Sequence, residues 1–216
     1  CSIQVNVTRV GDDAADVAHS LHRAWRDHLA AVKQKNAVAA CDLSEEKLAA
    51  SRAELPDLFY TRQYRDMLAR RDVDIVAIYT PDHLHGEHIA LAFEAGKDVI
   101  CTKPLVNSMA DARRILETGR RTGRRLFVGQ STRFFEPFRR QRAAFERGEL
   151  GVVELADAHY THRMDWYYRK SDWVARSTDW AYLGLSHPPD LLRWYLGPIR
   201  SAQPVGGVRS RGRAHG

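Results

Sequence analysis

The hydrophobic pattern of the chain alternates between short apolar runs and longer segments with one apolar face. Runs of strand length occupy residues 2–10, 37–41, 73–79, 98–101 and 124–129. Helices are predicted over residues 13–33, 44–54, 64–70, 83–95 and 108–119. Ser44 and Ser108 stand where hydroxyls can cap two of these helices, and Gly96 follows a third. Strands that alternate with helices predict an α/β fold with a parallel sheet.

The pattern changes after residue 130. A helix over 137–148, a long strand over 152–162, an irregular aromatic stretch over 164–180 and a short helix over 190–196 are predicted there. Residues 201–216 carry glycine and arginine without apolar periodicity, so we expect a disordered tail. The predicted domains are therefore 1–130 and 131–200, followed by the tail.

Composition narrows the class of protein. The chain has 216 residues, of which 44% are apolar and 28% charged, as in globular proteins. No apolar run approaches the ~20 residues of a membrane span, and the first ten residues lack the apolar core of a secretory signal. The three cysteines, Cys1, Cys41 and Cys101, are too few for a disulfide framework, so a cytoplasmic location is expected.

The positive charge of the chain is concentrated near its end. The net charge is +6, but it falls to +2 without Arg200, Arg209, Arg211 and Arg213. A body that is only mildly basic makes a nucleic-acid partner the least favoured interpretation.

Two strand ends carry residues that could do chemistry. Thr80-Pro81 follows the strand over 73–79, and Lys103-Pro104 follows the strand over 98–101. Ligands bind outside the carboxyl ends of the strands in an open parallel sheet. A lysine there can hold a substrate hydroxyl or relay its proton, and the proline fixes the backbone after it. The alternative to a functional role is that Lys103 is a solvent-exposed lysine in a loop.

These motifs, in their order and spacing, resemble the glucose-fructose oxidoreductase/inositol dehydrogenase (Gfo/Idh/MocA) family of NAD(P)-dependent enzymes. The resemblance covers residues 38–197. It is carried by Thr80-Pro81-x-x-x-His85, Ala95-Gly96-Lys97, Lys103-Pro104-Leu105, Gly129-Gln130-Ser131-Thr132-Arg133-Phe134 and His187-x-x-Asp190-Leu191-Leu192-Arg193-Trp194.

The resemblance implies a Rossmann domain over 1–130 and an incomplete α/β (α+β) domain for substrate binding and oligomerisation over 131–200. It implies hydride transfer between NAD or NADP and a sugar, polyol or related hydroxy compound. A homo-oligomer is expected if the second domain is complete, with neither a nucleic-acid nor a membrane partner.

By the same resemblance, Lys103 and His187 are the catalytic residues, and His187 transfers the proton of the substrate hydroxyl. Asp42 contacts the adenosine ribose, which favours NAD. The cofactor-binding residues that it implies are Gly11, Asp42, Thr80, Pro81, His85, Lys103 and Pro104. Two alternatives stay open, since Asp42 could only cap the helix from Ser44 and His187 could only pack beside Pro188.

The chain also departs from the family pattern. Gly11 is the single glycine of residues 10–15, where the fingerprint G-x-G-x-x-G is expected, and Asp12 and Asp13 would repel phosphates. Thr102 replaces the glutamate of E-K-P, and Leu183 stands where an aspartate is common. We interpret both ends as truncated or altered. The alternative function is therefore an inactive family member or fragment that serves as a binding or scaffold protein.

Histidines near the first strand end suggest a metal site. His83, His85 and His88 form H-x-H-x-x-H. His85 is already part of the family pattern, and His83 and His88 would point to different sides of a helix start. We therefore predict no metal site.

Overall fold

The computed structural model describes residues 5–8, 37–160, 172–178 and 180–203. Its central sheet consists of β1 (Val5–Thr8), β2 (Ala37–Cys41), β3 (Phe59–Thr61), β4 (Ile75–Ile78), β5 (Asp98–Thr102) and β6 (Leu126–Gly129). The strand order is β3-β2-β1-β4-β5-β6, which is the order of a doubly wound Rossmann sheet. The predicted α/β class is confirmed.

One strand departs from the expected parallel arrangement. β1 runs antiparallel to β2 and to β4, with Val5 opposite both Cys41 and Ile78. The pairs β2–β3, β4–β5 and β5–β6 are parallel. An apolar run predicts a strand but not its direction, because both kinds of ladder satisfy the backbone. The carboxyl end of β1, Thr8, therefore lies beside Ala37, at the edge opposite to the ends of β2 and β4.

Helices connect and flank the strands. They are α1 (Glu45–Glu54), α2 (Tyr64–Leu68), α3 (His85–Glu94), α4 (Met109–Thr122), α5 (Glu136–Glu146), α6 (Asp172–Ser177), α7 (Trp180–Leu183) and α8 (His187–Leu196), with 3-10 turns at Asp82–Leu84 and Ser131–Phe134. The predicted caps are confirmed, because the Ser44 and Ser108 hydroxyls accept from the backbone N–H groups of Lys47 and Asp111. None of the described helices is both long and apolar enough for a membrane span.

The core lies where α3 packs against β4, β5 and α4. Val76, Ile89, Phe93 and Val99 are each at most 2% exposed there, and fully burying side chains of this size stabilises by ~1.5–3 kcal/mol each. The contact between α3 and α4 is close, since a Cβ on Gly86 would lie 2.4 Å from the Asp111 carboxylate. The sheet edge that follows β4 and β5 therefore rests on a rigid base.

The prediction of a long strand over 152–162 is wrong over its described part. Residues 151–160 form neither strand nor helix, and Val152 and Leu155 are 90% and 89% exposed. A strand needs a neighbour, and the sheet described here ends at β6.

Sequence patterns also missed three elements. β3 is only three residues long, and α6 and α7 fall in or beside the stretch that was interpreted as irregular. The predicted helix over 13–33 lies outside the described residues. Of the predicted tail over 201–216, only residues 201–203 are described, and they are exposed and neither helix nor strand.

Candidate active site at the carboxyl edge of the sheet

Thr80 and Lys103 follow neighbouring strands at one edge of the sheet. β4 and β5 are parallel, with Ile78 opposite Cys101, so the residues after these strands leave the sheet side by side. Thr80 is 5% exposed, and Lys103 precedes a cis peptide bond to Pro104. The expected adjacency of the two strand ends is confirmed.

His85, the first residue of α3, ties these two strand ends together. Its Nε2 lies 2.8 Å from the backbone oxygen of Thr80, and its Nδ1 lies 2.9 and 3.1 Å from those of Pro104 and Leu105. Burial lowers the pKa of His85, although the three carbonyl groups oppose that shift. The ring is 1% exposed. It can therefore influence a bound molecule mainly by holding both loops in place.

Lys103 and His187 come together at this edge although they are far apart in the sequence. Lys103 Nζ donates to the backbone oxygen of Leu183 at 3.0 Å, and burial lowers the pKa of Lys103. The pKa of His187 falls to about 4, first because the ring is buried and then because the Lys103 charge is near, while Asp190 opposes the shift. His187 is therefore neutral at pH 7, which is the form that can accept a proton.

The 3-10 turn after β6 packs against the start of α8. Thr132 Oγ1 lies 3.4 Å from His187 Nδ1, and the Tyr160 ring centroid lies 5.3 Å from that of the imidazole. Arg133 donates two hydrogen bonds of 2.7 and 2.5 Å to the Asp190 carboxylate. The motif that contains Thr132 is part of the family resemblance, but the sequence indicated no role for it in the site. Its position directly after a strand was the available signal.

Helices α6 and α7 contact the loops that follow β4 and β5. Asn107 Nδ2 donates to the backbone oxygen of Ser177 at 2.5 Å, and the Thr178 hydroxyl donates to the Asp82 carboxylate. Together with the lysine contact above, these bonds bring part of the aromatic stretch over the strand ends. No periodic pattern in the sequence indicated this placement, because the contacts are polar and join distant positions.

A cavity of about 350 Å³ opens beside the ends of β2 and β4 and is lined by Asp42, Thr80 and His88 among others. Asp42 is 2% exposed, and its Oδ1 accepts from the Ser44 N–H at 2.8 Å. Its Oδ2 has no hydrogen-bond partner among the described residues, and Lys47 Nζ lies 4.0 Å away. This lysine is within ion-pair distance but too far for a hydrogen bond, and a buried carboxylate oxygen without a hydrogen-bond partner is costly. A hydroxyl of a bound molecule would remove that cost, so Asp42 can both support the helix start and bind a ligand.

The three histidines of H-x-H-x-x-H have separate surroundings. His88 Nδ1 lies 3.1 Å from Thr80 Oγ1, whereas the His83 ring lies 6.2 Å from that of Trp173 and His85 bridges the two loops. Within the described ranges, no group of three or more histidine, cysteine, aspartate or glutamate side chains could hold a metal ion.

The predicted phosphate-binding turn cannot be placed. Gly11 and its neighbours lie outside the described residues. The described part of this edge is built by the ends of β2 to β6, whose pairs β2–β3, β4–β5 and β5–β6 are parallel. Pro81 immediately precedes the 3-10 turn after β4 and is buried.

Comparison with known proteins decides the family. Residues 10–130 match the family described as an oxidoreductase family with an NAD-binding Rossmann fold, and this match covers more than half of the chain. The chain belongs to the Gfo/Idh/MocA family. The sequence resemblance is thus confirmed.

Two curated relatives illustrate the range of the Gfo/Idh/MocA family. Inositol 2-dehydrogenase of Gluconacetobacter diazotrophicus is 33% identical over 153 residues, which are 69% of this chain and 43% of that protein. Trans-1,2-dihydrobenzene-1,2-diol dehydrogenase of Macaca fuscata fuscata is 28% identical over 169 residues, which are 75% and 48% of the two chains. The chain thus spans less than half the length of these relatives.

Solved structures of Gfo/Idh/MocA proteins share the fold. The WlbA dehydrogenase of Bordetella pertussis, solved with NADH and UDP-GlcNAcA, is 28% identical with a TM-score of 0.67, covering 82% of this chain and 53% of that one. Myo-inositol 2-dehydrogenase of Lactobacillus plantarum has a TM-score of 0.69 at 21% identity, covering 87% and 55%. At that lower identity the likeness establishes the fold alone.

Proposed function

We propose that this protein is an NAD(P)-dependent oxidoreductase that acts on a hydroxyl group of a sugar, polyol or related compound. The observation that carries the proposal is the placement of Lys103 at the carboxyl edge of the sheet, where its Nζ donates to the Leu183 carbonyl at 3.0 Å. Leu183 lies on the short helix before His187, and this buried imidazole is neutral beside the Lys103 charge. A lysine that holds the reacting oxygen and an imidazole that accepts its proton suit the oxidation of an alcohol. The names of the relatives, an inositol dehydrogenase and a diol dehydrogenase, support a hydroxyl-bearing substrate.

Asp42 fits the ribose of a nicotinamide cofactor. Its Oδ2, which has no hydrogen-bond partner among the described residues, can accept a hydrogen bond from a ribose hydroxyl. A phosphate on that ribose, as in NADP, would instead be repelled by the buried carboxylate of Asp42. We therefore infer a preference for NAD over NADP. A nicotinamide cofactor held at Asp42 would supply the hydride chemistry of the reaction.

The other residues at this edge are proposed to contact the cofactor or to hold the loop of Lys103 in place. Thr80 lines the cavity beside Asp42 and would contact the cofactor there, together with the adjacent Pro81. His85 and Pro104 hold the loop that presents Lys103. In this proposal residues 1–130 form the cofactor domain, and residues 131–200 bring His187 to it.

The two polar side chains handle the reacting oxygen and its proton. Lys103 Nζ, which now donates to the Leu183 carbonyl, would donate to the substrate oxygen. His187 would take the proton of the substrate hydroxyl during oxidation and return it during reduction. The low pKa of His187 keeps the ring unprotonated at neutral pH but also makes it a weak base. A polar substrate and cofactor would change its surroundings on binding and with them its pKa.

The activity can be tested by following NADH formation from NAD with a panel of cyclic polyols and aldoses, with ethanol as the control alcohol. We expect saturable turnover with at least one polyol or sugar, lost in His187→Gln and absent with ethanol. Saturable NADH binding without turnover on the whole panel would contradict the substrate class. Absence of both binding and turnover would favour a protein that has kept the fold without the activity.

A further inference from the structure

The end of β6 supplies a second contact to His187 that the proposed reaction has not used. β6 is parallel to β5, and the 3-10 turn Ser131–Phe134 follows it at the same edge of the sheet as Lys103. Thr132 is 9% exposed, and its Oγ1 lies 3.4 Å from His187 Nδ1. The side chain of Thr132 is thus buried with its hydroxyl facing one nitrogen of the ring.

The turn that carries Thr132 is fixed against the helix that carries His187. The Arg133 guanidinium donates through Nε and Nη2 to both carboxylate oxygens of Asp190, one turn into α8. Two parallel hydrogen bonds of this kind define direction as well as distance. The separation between Thr132 and His187 is therefore set by a rigid contact.

A neutral imidazole must place its one N–H on one of two nitrogens. In the part of the chain that the structure describes, the charged groups that act on the ring are the Lys103 ammonium and the Asp190 carboxylate, and the Tyr160 ring packs beside it. Leu183, on the short helix before α8, contributes a backbone oxygen to Lys103 rather than an acidic side chain to the ring. Among the described residues, the hydrogen-bond contact of the ring is at Nδ1.

We propose that Thr132 is a positioning residue for His187, whose Nδ1–H donates to the Thr132 hydroxyl so that Nε2 stays unprotonated and faces the reacting oxygen. This inference rests on the proposed function, because it assigns Nε2 as the atom that takes the substrate proton. A hydroxyl can accept this hydrogen bond both before and after Nε2 is protonated. The ring therefore keeps one orientation through the proton transfer.

The tautomer can be read without any turnover. In protein labelled with ¹⁵N-histidine, the two ring nitrogens have different shifts when protonated and unprotonated, and His187→Gln identifies the resonances of this ring among the ten histidines. We expect the Nδ1–H form in the wild type at neutral pH. Thr132→Val should give a mixture of tautomers, and Thr132→Ser should restore the wild-type form. Thr118→Val, at another buried threonine on α4, is the matched control and should leave the tautomer of His187 unchanged.

An unchanged tautomer in Thr132→Val would overturn the proposal, as would an Nε2–H form in the wild type. If Thr132→Val does not fold, Thr132→Ala gives the same comparison with a smaller side chain. With an active substrate, Thr132→Val should lower kcat about tenfold, the cost of one hydrogen bond, and leave KM and NADH affinity within about twofold. An equal loss of kcat in the serine variant would contradict the role of the hydroxyl. Absence of turnover in the wild type would contradict only the proposed function, since the tautomer of His187 is measured without turnover.

Discussion

The two sides of the candidate site are held in place by different kinds of contact. On the sheet side, Lys103 follows a strand paired along its length with β4, and His85 contacts backbone oxygens of both neighbouring loops. On the facing side, α6 and α7 are attached through side-chain contacts such as those of Asn107 and Thr178. Backbone pairing fixes many atoms together, whereas single side-chain bonds contribute about 1 kcal/mol each. The sheet side is therefore held more rigidly than the facing side, which carries the groups proposed to complete the chemistry.

This comparison separates effects on chemistry from effects on folding. A change at Lys103 should affect the reaction with little effect on the fold. A change at His85 should do the reverse, because its ring is buried between loops. A change at His187 should affect both the reaction and the stability of the fold, since this residue is buried and is also the proposed proton acceptor.

Replacing the lysine should have the largest effect. Lys103→Met should lower kcat by about a hundredfold or more, because the hydrogen bond that Lys103 would donate to the reacting oxygen is lost. Cofactor affinity should fall by less than about threefold, since the ribose contact proposed for Asp42 would stay. Steady-state kinetics and NADH titration measure the two quantities on one preparation.

Lys97→Met is the matched control for this variant. Lys97 Nζ also donates to a backbone oxygen, that of Arg70 at 2.8 Å, but it precedes β5 and therefore lies at the opposite edge of the sheet. Its replacement should keep kcat within about twofold. Equal losses in the two variants, or equal losses of turnover and cofactor binding in Lys103→Met, would count against a catalytic lysine.

Removing the buried bridge between the loops should have the next largest effect, on stability. His85→Ala leaves the carbonyl groups of Thr80 and Pro104 without this partner and opens a space in a buried site, at a cost of about 2–4 kcal/mol. The exposed His83 next to the same turn is the control, and His83→Ala should cost less than about 0.5 kcal/mol. Urea unfolding followed by circular dichroism gives both values, and similar costs for the two variants would show that the ring does not hold the loops.

The buried, uncharged state of His187 should make stability depend on pH. Its pKa is about 4 in the folded protein against 6.5 ordinarily, so the unfolded chain binds more protons as the pH falls. Stability is therefore lost as the pH falls from about 6.5 towards about 4 and is fully present above that window. The loss from His187 should be about 2 kcal/mol between about pH 7.5 and about pH 5.

The variant His187→Gln isolates this contribution, because other histidines with lowered pKa values act in the same direction. Its free energy of unfolding should fall less steeply with acid than that of the wild type. Lys103→Met should also reduce the slope, since the ammonium is the second cause of the shift. Parallel slopes for the wild type and His187→Gln would refute the lowered pKa.

The sheet side was largely predictable from the sequence. The run over 73–79 and the caps at Ser44 and Ser108 depend on neighbouring residues alone, so the pattern located β4, α1 and α4 and placed Thr80 beside Lys103. The direction of β1 was not predictable in this way. Val5–Thr8 has the same apolar pattern in either direction, and only its pairing with β2 and β4 decides.

The facing side was less predictable for a physical reason. The contacts of Thr132 with His187 and of Lys103 with the Leu183 carbonyl join residues more than fifty positions apart. The catalytic role proposed for His187 came from the family resemblance, whereas its contact with Thr132 was visible only in the structure. At Val152 and Leu155 the sequence pattern predicted a strand that does not form. These residues are exposed, because an apolar run without a neighbouring strand forms no sheet.

Binding of NADH tests the central claim most directly, because the proposed function requires a dinucleotide at this edge of the sheet. Protein fluorescence is followed while the wild type, Asp42→Ala and the exposed-site control Asp57→Ala are titrated with NADH and with NADPH. We predict saturable NADH binding that weakens about tenfold in Asp42→Ala, the cost of one buried hydrogen bond to a charged group, and stays unchanged in Asp57→Ala, with weaker binding of NADPH to the wild type. No saturable change with either dinucleotide, or an affinity that does not respond to Asp42→Ala, would contradict the account.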